Sequence, residues 1–119
     1  MTELGEQRKA KREQTIFYLE VIDSEIDQPI GRLVDITTEG IMVVHDSPLA
    51  VHREYQLKIL LPRELNGSSK IDFKAECRWC RLSVNQDYFD AGLRIVDASS
   101  NDRLRMEMVM KHYSFPHSF

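Results

Sequence analysis

Apolar residues recur along this chain in two rhythms. Between Thr15 and Val96 they fall in short stretches, several of them alternating with polar positions, and beyond Ser99 they return at spacings of three and four. Alternation over four to eight residues predicts half-buried strands, and the longer period predicts a helix with one apolar stripe. Thr15 to Asp23, "TIFYLEVID", is the first strand, and "SEIDQP" supplies turn chemistry after it. "IGRLVDI" from Ile30 is the second and "GIMVV" from Gly40 the third. "EYQLKILL", Glu54 to Leu61, is the fourth, and Pro62 is expected to stop it, with "RELNGSSK" as a loop. "KIDFKAECRWCRL" then alternates, placing Ile71, Phe73, Ala75, Cys77 and Trp79 on one face and Asp72, Lys74, Glu76 and Arg78 on the other. "YFDAGLRIV" is the sixth strand. Six short strands separated by Gly, Pro, Asn and Ser clusters, without βαβ alternation, predict a mainly β fold, an antiparallel barrel or sandwich.

The tail changes rhythm. Ser99, Ser100 and Asn101 are capping residues, and Met106, Val109, Met110 and Tyr113 fall on one helical stripe. That stripe either covers an open end of the barrel or, given its methionines, offers an adaptable contact to a partner. Residues 1–14 carry no apolar periodicity and read as a flexible basic arm. The expected division is an arm over 1–14, a β-barrel over 15–98 and a C-terminal helix over 99–113.

Composition narrows the functional classes. A length of 119 residues fits one domain, and no apolar run approaches the roughly 20 residues of a membrane span, so no membrane insertion is expected. The polar N-terminus lacks the apolar core of a secretory signal, which predicts a cytoplasmic protein with reduced thiols. The net charge is −3, yet Arg8, Lys9, Lys11 and Arg12 contribute four positive charges, leaving −7 for everything else. A nucleic-acid-binding face needs a basic domain, so no nucleic acid is expected as the main partner. The cluster suits a small anion.

Candidate chemistry is sparse. Cys77 and Cys80 have C-x-x-C spacing, but residues three apart in a regular strand face opposite sides, and no second pair of ligands completes a zinc site. No G-x-S-x-G, H-E-x-x-H or phosphate-binding glycine loop is present, so the chain is not expected to be an enzyme, and no catalytic, metal or cofactor site is assigned. Two features remain. Arg8 and Arg12 are four apart, and the arginine fork bonds phosphate or guanine O6 and N7 in bidentate fashion; the alternative is a solvated charge run. In "DITTEG", Asp35 and Thr37 present an acceptor and a hydroxyl on one face, and Gly40 permits φ > 0 or the close approach of a ligand; the alternative is a hairpin whose side chains bond their own backbone.

Together, "RKAKR" as R-x-x-x-R and "DITTEG" as D-x-T-x-x-G, separated by one strand and half a hairpin, resemble the PilZ domain family, as do "ECRWC" and "DAGLRIV" downstream with Gly92 at the family's glycine. The resemblance runs from about Arg8 to Val96. It implies a small six-stranded β-barrel and a receptor for the bacterial second messenger cyclic di-GMP that changes conformation on binding and signals to a partner protein. Arg8 and Arg12 would meet phosphates and guanine edges with Lys9 as an added charge, Asp35 would accept from guanine N–H groups, Thr37 would add a hydroxyl contact, and Gly40 would leave room. Trp79 would stack on a base or pack in the core. Thr37 stands where the family usually has serine, and its extra methyl stiffens χ1. Two other classes stay open: a nucleotide-independent adaptor of the same fold, serving a pilus, flagellar or signalling partner, and a small barrel binding single-stranded nucleic acid.

Overall fold

Residues 19–112 are described in the computed structural model, and within them the alternating stretches form six strands and one helix. The strands are β1 (Glu20–Asp23), β2 (Gln28–Ile36), β3 (Gly40–His45), β4 (Glu54–Leu65), β5 (Ser68–Leu82) and β6 (Phe89–Asp97), followed by α1 (Ser100–His112). Every neighbouring pair is antiparallel, in the order β1-β2-β3-β6-β5-β4, and β4 pairs back onto β1 to close a barrel. Closure leaves no sheet edge, which separates this architecture from the sandwich that the pattern also allowed. The inward positions Val21, Leu33, Val43, Leu57, Ile59, Ile71 and Phe73 fill the interior.

α1 contributes Met106 and Val109 to the same core and packs against β5. Of its expected stripe, Met106 and Val109 are buried and Met110 is exposed; Tyr113 lies outside the described residues, as do Arg8, Lys9, Arg12 and the start of the first predicted strand. Ser99 caps the helix. Its hydroxyl oxygen accepts the Asp102 N–H at 3.0 Å, and the Asp102 carboxylate accepts the Ser99 hydroxyl at 2.9 Å. Asp102 also accepts from the Asp72 N–H and from Arg105, whose guanidinium reaches on to the carbonyls of Leu65 and Asn66. Among the described residues no helix is long and apolar enough to cross a membrane.

Three local expectations are overturned. Pro62 does not stop β4, which runs on to Leu65, and "RELNGSSK" is not a loop but the end of β4, a tight turn and the start of β5. The pairing register breaks between Leu60 and Leu65, so the missing Pro62 N–H falls where the ladder is already interrupted. Asn66 and Gly67, at φ 49° and 84°, make a two-residue hairpin turn between the paired Leu65 and Ser68. The third correction is on β5. A register shift between Cys77 and Trp79 inserts Arg78 as an extra residue, so the alternation changes phase there. Trp79 leaves the core face and is exposed, while Cys80 turns inward and packs against the core beside the buried Cys77. The two thiols therefore do not diverge as a regular strand would require.

Candidate functional site

The turn after β2 is built by its own side chains. Thr37 Oγ1 accepts the N–H groups of Glu39 and Gly40, each at 3.1 Å, and the Thr37 N–H donates to the Gly40 carbonyl at 2.9 Å. The hydroxyl proton points to the same carbonyl at 3.4 Å, a long contact that leaves it free to be offered elsewhere. Asp35 Oδ1 accepts the Ile36 N–H at 2.9 Å, which fixes the carboxylate at the strand end. The Glu39 carbonyl accepts from the Ile95 N–H at 2.8 Å, so the turn is stitched to β6. Gly40 is needed for a reason the sequence hid: a Cβ there would meet the Leu93 carbonyl at 2.8 Å, so the glycine admits the neighbouring strand, and its φ is not in the left-handed region.

Trp79 meets this turn from across the sheet. It pairs with Gly92, and its indole lies so close over that residue that a Cβ at Gly92 would collide with Nε1. The edge of the ring from Nε1 to Cζ2 thereby lies against Gly92 on the outside of the barrel, and the Arg81 guanidinium sits over the ring, 4.8 Å from its centroid. Asp35, Thr37, Gly40 and Trp79 then line one open cavity of about 700 Å³. Arg8, Lys9 and Arg12, the other residues expected at the site, lie outside the described residues.

Three further cations line the cavity: Arg78, Arg94 and Arg103. Against them stand Asp35 and Glu39, and among the described residues none of the three guanidiniums lies within ion-pair distance of a carboxylate. The wall is cationic without the arm. Arg94 carried a usable signal, since it follows Gly92 by two and shares its outward face. Arg78 read as an ordinary outward residue, and Arg103 approaches from a helix 65 residues beyond the turn it touches, for which local spacing holds no cue. An indole covered by a mobile arginine side chain, an anchored acceptor, a hydroxyl and guanidiniums without an ion-pair partner among the described residues together suit an anionic heterocycle.

The sequence matches the family model described as the PilZ domain over residues 6–111. No curated protein matches the chain. Among solved structures, the fold is similar to that of the Bacillus subtilis inhibitor of motility MotI/DgrA, at 20% identity and a TM-score of 0.65, with 82% of this chain and 47% of that one covered. The chain thus spans about half of that protein, and at this identity the likeness is one of fold.

Proposed function

The chain belongs to the PilZ domain family, and from that premise we propose that it is a receptor for cyclic di-GMP that passes the binding event to a partner protein. The observation that carries the reading is the convergence of Asp35, Thr37, Gly40 and Trp79, from β2, the turn after it, β3 and β5, on one cavity with an excess of guanidinium groups. Asp35 accepts from a guanine N1–H or N2–H, Thr37 offers its loosely held hydroxyl proton to an acceptor on the ligand, and Trp79 stacks on a base. Arg8 and Arg12 close over the phosphates and guanine edges, with Lys9 as a supporting charge. Binding without turnover is expected, because the sequence holds no G-x-S-x-G, H-E-x-x-H or phosphate-binding glycine loop.

Calorimetry with cyclic di-GMP tests this directly. The expected result is saturable binding, weakened by about 2 kcal/mol or more in Arg8→Ala or Arg12→Ala, with only partial recovery in the lysine variants. No heat at near-millimolar nucleotide would replace the receptor by a nucleotide-independent adaptor. Competition by oligonucleotides at physiological salt would point instead to single-stranded nucleic acid.

A further inference from the structure

α1 brings to the cavity a charge that neither motif supplies. Arg103 lines it beside Thr37, Thr38, Glu39 and Arg94, and its Nη1 donates to the Thr38 carbonyl at 3.4 Å. That bond is long for N–H···O, and the residue is exposed. Its backbone is the opposite case. The Arg103 N–H donates to the Ser99 carbonyl at 2.9 Å, and the preceding Asp102 is tied to Ser99, to β5 through the Asp72 N–H, and to Arg105. A loosely held guanidinium therefore rides on a firmly held stem, at the rim of a cationic cavity.

We infer that Arg103 is a phosphate-binding residue of this site and that, through it, α1 is the element that reports occupancy; this rests on the cyclic di-GMP reading above. A phosphodiester oxygen is a charged acceptor, and its bonds to a guanidinium are shorter and about twice as strong as those of a neutral carbonyl. Exchange of the Thr38 carbonyl for phosphate is thus favourable, and it breaks the side-chain link that joins α1 to the "DITTEG" turn in the free protein. Arg94 is paired with Gly40 in the β3–β6 ladder and Arg78 is the extra residue of β5, so both belong to the barrel wall. Arg103 is the lining residue that belongs to α1, whose outer surface carries the exposed Leu104 and Met110.

The test compares the parent with Arg103→Ala, Arg103→Lys and, as a control for net charge, Arg63→Ala, which removes an exposed cation outside the cavity lining. Calorimetry with cyclic di-GMP at several salt concentrations is expected to show about tenfold weaker binding for Arg103→Ala, with a shallower salt slope. Arg103→Lys should lie between, and Arg63→Ala should match the parent. Backbone amide shifts of residues 103–109 should move with nucleotide in the parent and stay in place in Arg103→Ala at saturation. If the parent binds and Arg103→Ala binds equally well with the same slope, the phosphate role is wrong while the receptor reading stands. Weaker binding with α1 amide shifts as large as the parent's would overturn the reporting role. A parent that takes up no nucleotide overturns this inference and the receptor reading together.

Discussion

Gly92 and Trp79 are one unit: the missing Cβ leaves the space that the Nε1, Cε2 and Cζ2 atoms of the indole occupy, and the indole covers the backbone that the glycine exposes. Gly92→Ala must push the ring outward, because the new methyl would collide with Nε1. We expect a loss of about 1–3 kcal/mol in urea unfolding, as for other overpacked contacts, together with a red-shifted tryptophan emission. Unchanged emission would mean that the ring is not held against the barrel. Cys77 is the other residue whose surroundings make a prediction. Burial raises its thiol pKa above the ordinary value, and the nearby Cys80 adds to the rise. The folded protein then keeps a proton that the unfolded chain releases, so stability is complete below the ordinary thiol value, about 8.5, and falls as pH rises past it. Cys77→Ala should flatten that alkaline decline, and in the parent alkylation at neutral pH should reach Cys80 first. An equally steep decline in Cys77→Ala would assign the effect to another group.

At the scale of elements, the β4–β5 hairpin and the α1 cap show how short signals set long strands. Asn66-Gly67 is a two-residue turn with both φ angles positive, and it overrides Pro62 because the register has already slipped before the turn. A Cβ at Gly67 would stand in open space, with no atom within 4 Å, so Gly67→Ala isolates backbone strain from packing. A cost of about 1 kcal/mol is expected from chemical denaturation, with no change in nucleotide affinity, since the turn does not line the cavity. A much larger loss would show that the whole hairpin register depends on this turn. The same hairpin end is bound to α1, because Arg105 donates to the carbonyls of Leu65 and Asn66. Strand ends and helix start are thus fixed as one piece, on which Arg103 is carried.

For the whole molecule, the cyclic di-GMP reading requires that ligand stabilise the fold by mass action. At a concentration 100-fold above Kd the gain is about 2.7 kcal/mol, visible as a higher unfolding midpoint, and no shift at that concentration would contradict binding to the folded state. How far such a reading could be made from the chain alone differs from place to place. The number of strands, the helix after Ser99 and the "DITTEG" turn were legible, because alternation, capping and turn chemistry are local and each is written within a few residues. The spacing of Arg8, Arg12, Asp35, Thr37 and Gly40 carried the family resemblance for the same reason. Other features lay beyond it. The extra residue at Arg78 turned Trp79 out and Cys80 in, the Leu93 carbonyl explained Gly40, and Arg103 reached Thr38 from a distant helix. A strand's sequence specifies which residues share a face, but register and barrel closure decide which residue lies opposite, and that depends on partners far along the chain.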